Sequence, residues 1–289
     1  MINKLAVVGL GLIGGSLARA LREAGAVQTI AGYDSNPLRC AAALSLGVVD
    51  HIGTSAADAV KDADLVLLSV PVLHTQSALS ALLPGLKSGA VVTDTGSTKQ
   101  SVLDDVQQAC GGVIPPWFVA AHPIAGTEKS GVENSVAGLF KNRRVILTPH
   151  AQQDSAAKKI VAAMWQAAGA RVVEMQADQH DTIFAATSHL PHLLAYSFVD
   201  MLDQLDAQHE IFPNAGGGFR DFTRIASSSP QMWHDIVRAN KAAVSAVLDR
   251  QIEDLRQLQK LMAEDRWDDV KALFERARAA RERYLAQIE

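Results

Sequence analysis

Cysteine is scarce in this chain. Cys40 and Cys110 are the only two, far apart and in no metal-binding spacing. That scarcity excludes a disulfide framework, offers no zinc motif and suits a reducing, cytoplasmic setting. Long apolar runs are missing as well: none reaches the roughly 20 residues of a membrane span. The apolar run near the N-terminus holds glycines and lacks a cleavage-site pattern, so no signal peptide is expected. No basic block stands out among 27 Lys and Arg against 31 Asp and Glu, a formal net charge of −4. A nucleic-acid-binding face is therefore not expected. Glycine disappears after Gly218 and proline after Pro230, and all but three of the 20 glycines lie at or before Gly169. What is present is a 289-residue chain, 48% hydrophobic and 20% charged, long for one domain and suited to two.

The uneven use of glycine divides the chain. Its first part alternates short apolar runs with helical patterns: Lys4–Val8, Thr29–Tyr33, Leu65–Val70, Ala90–Asp94, Trp117–Ala121, Val145–Thr148 and Val172–Met175. Strands alternating with helices predict a parallel, doubly wound sheet, with the last runs as an antiparallel or mixed extension. From about Ala177 the period becomes helical. Val244, Leu248, Ile252, Leu255, Leu258 and Met262 recur three and four apart with charges between, the pattern of an apolar stripe. One helix from Pro230 to the end would be roughly 88 Å long at about 1.5 Å per residue, so a break is expected near Glu264–Trp267. The stripe suggests a dimer, or else packing within one subunit.

The most informative stretch is Leu5–Gly15, LAVVGLGLIGG. A buried strand, then Gly9, Gly11 and Gly14 at G-x-G-x-x-G spacing, then a helix from Ser16, is the context of a dinucleotide-binding turn. Gly9 permits the tight turn, Gly11 lets a pyrophosphate approach the backbone, and Gly14 lets helix and strand pack closely. Leu12 and Ile13 sit between them, where free N–H groups and the positive end of the helix dipole face the phosphates. Asp34 follows the next strand, 20 residues after Gly14. There a carboxylate accepts from the adenosine ribose diol and repels the 2′-phosphate of NADP. NAD is thus the expected cofactor, against the plainer reading of a glycine turn with a solvated Asp34.

Ligands of doubly wound folds bind at the carboxyl ends of the strands, and several polar loops lie there. Ser69 and Pro71 follow the Leu65–Leu68 run and should border the cofactor. Asp94-Thr95-Gly96-Ser97-Thr98-Lys99 offers hydroxyls and a cation at a helix start, where Ser97 or Thr95 could equally be a helix cap. His122 opens the loop HPIAGTEKSG, and imidazole suits proton transfer near neutral pH; it could also cap a turn. In the helical part, His189-Leu190-Pro191-His192 sets a proline inside a helical pattern, predicting a kink or restart. Gly216 to Arg224 is a glycine loop running into a short basic-aromatic turn or helix. Asp221 and Arg224, three apart, can pair on one helix face, and an arginine fork grips carboxylates. His192 reads as structural. His51, His74, His150, His180, His209 and His234 stand outside any cluster and read as structural or solvated.

Taken together, GLGLIGGSLA, DTGSTK, HPIAGTEKSG, SHLPH and GGGFRDFTRIASSSPQMW, spread over residues 9–233, resemble the prephenate dehydrogenase family, arogenate and cyclohexadienyl dehydrogenases included. The resemblance implies an α/β Rossmann-type doubly wound sheet, 1–175, followed by an all-α substrate-binding and dimerisation domain, 176–289. It implies oxidation of the ring hydroxyl of prephenate, or of arogenate, with hydride passing to NAD(P)+ and loss of CO2. By the same resemblance His122 is the base or acceptor for the ring hydroxyl, and Ser97 hydrogen-bonds that hydroxyl. His189 lines the cleft and Arg224 anchors a substrate carboxylate. Glu128 and Asp221 join Arg224 in an ionic network, and Thr127 and Trp233 line the cleft. No mutase segment or appended regulatory domain is expected.

Two other readings compete. A β-hydroxyacid dehydrogenase would need a lysine acid/base on a helix of the second domain, and Lys241 is the only one near the start of the long helical region. A non-catalytic NAD-sensing module would need an effector surface, and none is visible.

Overall fold

The computed structural model describes residues 1–127, 129–206 and 210–288. The chain divides into two compact units, Met1–Lys241 and Ala242–Glu289. The first begins as a doubly wound α/β domain: β1 (Ile2–Val8), α1 (Leu12–Glu23), β2 (Val27–Tyr33), α2 (Pro37–Ser45), β3 (His51–Ile52), α3 (Ala56–Val60), β4 (Leu65–Leu68), α4 (Thr75–Leu82), β5 (Val91–Asp94), α5 (Gln100–Ala109) and β6 (Phe118–Val119). These six strands form one parallel sheet in the order β3-β2-β1-β4-β5-β6. The order reverses between β1 and β4, the switch point at which such sheets bind ligands. Leu5 and Val7 face one core with Leu17, Leu21 and Ile30, while Ala6 and Val8 face the other with Val66, Leu68 and Val92. Burial on both faces explains the unbroken apolar runs. Leu17 and Leu21 are fully buried, each worth roughly 1.5–3 kcal/mol.

The run Trp117–Ala121 does not stay in one sheet. After β6 the chain starts a second sheet, β7 (Ala121–Pro123), β8 (Arg144–Leu147) and β9 (Arg171–Glu174), with α6 (Ser155–Ala167) between the last two. β7 is antiparallel to β8, and β8 is parallel to β9, the mixed extension expected. The two-residue β3 carries no periodicity that a sequence could show.

The change of period at 175/176 falls between β9 and α7 (Ala177–Phe184). A π-helical turn (Ala185–His189), α8 (Leu190–Leu205), α9 (Gly217–Thr223), a 3₁₀ turn (Arg224–Ser227), α10 (Pro230–Ala239), α11 (Lys241–Ala263) and α12 (Trp267–Ile288) follow. The break between α11 and α12 lies at 264–266, where Asp265 adopts φ 52. The restart expected at Pro191 takes the form of the π turn. Pro191 has no N–H and its ring crowds the preceding turn, so widening that turn takes up the misfit. Among the described residues no helix is long and apolar enough to cross a membrane.

Candidate active site

The glycine turn joins the carboxyl ends of β1 and β4. Gly9 has φ +101, and a Cβ there would lie 2.1 Å from the Ser69 carbonyl oxygen. A Cβ on Gly14 would lie 2.4 Å from the Gly9 carbonyl oxygen, whereas one on Gly11 would meet nothing within 4 Å. Only glycine satisfies both tight contacts, and the open side at Gly11 leaves backbone accessible. Gly11 caps α1 without a side chain, so the first-turn N–H groups at Leu12 and Ile13 have no helical partner. Leu10 and Asn36 each donate a backbone N–H to the Asp34 carboxylate at 2.9 Å. Asp34 is nearly buried, with the exposed Arg39 guanidinium 3.7 Å away. A compact anion receptor with one carboxylate at its rim is the donor set that a pyrophosphate and a ribose diol require.

The next strand ends continue this ridge. Thr95 Oγ1 donates to Ser69 Oγ at 3.3 Å, and Pro71 is exposed beyond it. Asp94, at the end of β5, accepts from the Ala121 N–H at 2.9 Å and from the Gly96 N–H at 2.7 Å. It also pairs with Lys99, whose ammonium is fully buried and donates to the Ala121 carbonyl at 2.7 Å. Burial lowers the Lys99 pKa, against the pull of Asp94 and Asp181. Asp94 thus fixes the start of β7, and with it His122, beside the loop that carries Ser97. Ser97 is half-buried and makes no hydrogen bond among the described residues.

Neither Ser97 nor Thr95 caps α5. The cap position is Lys99, with no side-chain cap of its own, and the free N–H groups of Lys99 and Gln100 donate to Asp181 at 2.8 and 2.9 Å. A carboxylate from α7, remote in sequence, does the work of a local cap.

His180 is buried and stands within a cluster, which corrects the expectation that it lies outside any. His180 Nδ1 lies 2.8 Å from Asp181 Oδ1, and His180 Nε2 lies 2.8 Å from His122 Nδ1. Asn240 Nδ2 donates to the Asp181 carbonyl at 2.8 Å and lies 3.2 Å from His189 Nδ1. His189 meets Trp233 edge-on at 6.2 Å, and His192 stacks on the same indole at 3.5 Å. His192 donates Nδ1–H to the Ser188 carbonyl at 2.9 Å, consistent with a structural role. The Trp233 indole N–H is buried without a partner among the described residues.

Burial pushes the His122 pKa well below 6.5, and the positive potentials of His180, Lys99 and His189 add to it. Burial likewise pushes His189 down to about 4 against the opposing Asp181, and lowers His180 against its bond to Asp181. For Asp181, burial alone would raise the pKa; hydrogen bonds from His180, Lys99 and Gln100 outweigh it and hold the carboxyl below its ordinary range. At neutral pH the site therefore holds neutral imidazoles beside one carboxylate.

Other expected residues lie at the surface. Arg224 and Asp221 are both exposed, and among the described residues neither forms an ion pair. The pairing expected of residues three apart is not formed between them; both side chains reach solvent, where such a pair is worth little. Arg224 lies close enough to His192 to lower its pKa, after burial and against the Ser188 bond. It lines an open depression of about 460 Å³ with Phe212, Gly216, Phe219, Arg220 and Thr223. Thr127 is exposed and its hydroxyl accepts from the Lys129 N–H at 3.2 Å. Glu128 lies outside the described residues, as does His209. Lys241 is exposed at the start of α11. The larger depression, about 570 Å³ between α11 and α12, is lined by leucines and surface charges and contains no histidine.

Known proteins resemble this chain over nearly its whole length. Two family profiles match, "Prephenate dehydrogenase, nucleotide-binding domain" over residues 17–174 and "Prephenate dehydrogenase, dimerization domain" over 176–276. A cyclohexadienyl dehydrogenase of Zymomonas mobilis is 38% identical, covering 97% of this chain and 96% of its own. A prephenate dehydrogenase of Bacillus subtilis is 37% identical, covering 98% and 75%. The crystal structure of prephenate dehydrogenase from Aquifex aeolicus in complex with hydroxyphenyl propionate and NAD+ superposes with a TM-score of 0.90 at 36% identity, over 97% of this chain and 98% of that one.

Proposed function

The chain belongs to the prephenate dehydrogenase family, and from that premise we propose that it carries out NAD-dependent oxidative decarboxylation of prephenate with His122 as the base. The observation that carries the assignment of the base is the state of His122: an imidazole kept neutral by its surroundings, bonded on its Nδ1 side to His180, with Nε2 left as the proton acceptor. A bound NAD+ would supply the hydride acceptor for C4 of the ring. The residues do the rest. The first-turn amides at Leu12 and Ile13 would hold the NAD+ pyrophosphate, in the cradle that Gly9, Gly11, Gly14, Ser69 and Pro71 shape. Asp34 accepts from the adenosine ribose. Ser97 hydrogen-bonds the ring hydroxyl and His122 takes its proton. His189, Thr127 and the Trp233 N–H, unpartnered among the described residues, line the cleft. Arg224 anchors a carboxylate, with Asp221 on the turn before it. Departure of CO2 from C1 aromatises the ring, which makes the step effectively irreversible. Incubation with prephenate and NAD+, followed by NADH absorbance, tests the activity. Parallel kcat/KM values for prephenate and arogenate, which differ only in a keto or amino group, test the preference.

Two predictions concern binding. Arg224→Ala raises KM for prephenate by roughly 10- to 100-fold, the worth of a charge-assisted hydrogen bond of about 1.5–3 kcal/mol, and hardly changes KM for NAD+. Equal effects on both would remove the anchor role. Asp34→Ser removes the charge that repels a 2′-phosphate and leaves Arg39 free to bind one. The NADP+/NAD+ ratio of kcat/KM should then rise by roughly 10- to 100-fold on the same arithmetic; an unchanged ratio counts against Asp34.

A homodimer is the assembly we infer. In the second unit Ile252, Leu255, Met262, Trp267 and Phe274 are exposed, apolar side chains that a second copy of the chain would cover. The matching family description names a dimerization domain. Cys40 and Cys110 are free, which fits work in the cytoplasm.

A further inference from the structure

We propose that the Asp181 carboxylate, acting through His180, and the Asn240 amide set His122 and His189 in opposite tautomers, so that the cleft holds one imidazole acceptor and one imidazole donor. Each step follows from what the partner can do. A carboxylate only accepts, so His180 Nδ1, 2.8 Å from Asp181 Oδ1, carries the proton. A neutral His180 then has a bare Nε2, and His122 Nδ1 at 2.8 Å must donate to it. That leaves His122 Nε2 as the lone-pair nitrogen. On the other branch, the Asp181 backbone carbonyl also only accepts, so the Asn240 atom 2.8 Å from it is the amide nitrogen. Its second N–H points to His189 Nδ1 at 3.2 Å, which must be bare, and His189 carries its proton on Nε2.

The arrangement rests on the reading of His122 as the base and explains how that base is kept ready. A free histidine divides its proton between the two nitrogens. Here a ring fixed as an acceptor receives the hydroxyl proton, and a second ring fixed as a donor offers an N–H to an acceptor on the substrate. Burial keeps all three rings neutral, as the tautomer argument requires. The charged groups facing them are Asp181 on α7, Lys99 before α5 and Asp94 at the end of β5; Lys99 and Asp94 largely cancel as a pair. His180, Asp181 and Asn240 are positioning residues: they act through His122 and His189.

The direct test is two-bond ¹H–¹⁵N correlation spectroscopy on the full-length protein labelled with ¹⁵N-histidine, at pH 8, with signals assigned from single-histidine variants. Protons on Nδ1 of His122 and His180 and on Nε2 of His189 are expected. A proton on Nε2 of His122, or on Nδ1 of His189, overturns the proposal. Kinetics supply the second arm. His180→Leu removes the acceptor and should cut kcat by about 10- to 100-fold, the usual scale for a group that orients a reacting one, with both KM values little changed. His180→Gln can still accept from His122 and donate to Asp181, and should stay within about threefold of wild type on that scale. Wild-type kcat in His180→Leu, or equal losses in both variants, also overturns it. The spectra keep this outcome separate from the base assignment: if His122→Asn turns over normally while the tautomers are as stated, the base is lost and the tautomers stand.

Discussion

His122→Asn lowers kcat by about 10²–10⁴, the range a positioned general base contributes, while NAD+ binding stays nearly intact. The two effects separate because they belong to different sheets. The glycine turn is built on β1 and β4, where its close contacts run to Ser69, whereas His122 sits on β7, paired with β8 opposite Ile146. Asparagine keeps a polar group near His180 but offers no basic nitrogen. The pH profile carries a further expectation. A base must be deprotonated to work, and burial with the surrounding positive charge lowers the His122 pKa. The neutral form therefore persists as pH falls, and the acid limb of kcat/KM lies below pH 6.5 and vanishes in His122→Asn. NADH production against pH and a fluorescence titration with NAD+ measure the two halves. Near-normal turnover in the variant removes His122 from the mechanism.

How much of this could be read from the sequence depended on how local each cause is. The glycine turn and Asp34 were legible because the motif lies within about thirty residues, although the contact that requires glycine at position 9 comes from Ser69, at the end of β4. The apolar runs were legible because a sheet covered on both faces needs them. The support of the site was not. His122 meets a ring 58 residues on, and α5 is capped by a carboxylate 82 residues from Lys99. Nothing in DTGSTK states that its helix lacks a cap of its own. Asn240 stands at the C-terminal end of α10, and its side chain joins Asp181 to His189. The one available signal was the adjacent His180-Asp181 pair at the start of a helix, next to the change of period. An imidazole beside a carboxylate is an orienting pair wherever a third group can reach it. The pairing of Asp221 with Arg224 read from their spacing is not formed: both side chains are exposed, and spacing alone does not tell whether burial will make an ion pair worth forming.

Lys99→Met should cost about 3–5 kcal/mol of stability, the scale for removing one partner of a buried ion pair. Lys99 has no exposed surface, and Asp94 is almost as deep. The pair stands where the two sheets of the first unit meet: Asp94 binds the Ala121 N–H, and Lys99 binds the Ala121 carbonyl. In the variant the carboxylate keeps the Gly96 and Ala121 amides but loses its countercharge, and the Ala121 carbonyl loses its donor. Urea unfolding followed by circular dichroism measures the loss as a lower midpoint at unchanged slope. Lys99→Met combined with Asp94→Asn should recover part of it, because no uncompensated charge is then buried. The same substitution reports on catalysis. Lys99 is one of the positive groups that lower the His122 pKa, so its removal, with Asp94 left negative, makes the imidazole easier to protonate and moves the acid limb of kcat/KM to higher pH. A stability loss below about 1 kcal/mol would mean that water reaches the pair and screens it, since exposed ion pairs are worth no more than that, and the limb should then stay where it is. Movement of the limb with little loss of stability would instead mean that the cation matters more to His122 than to the join between the sheets.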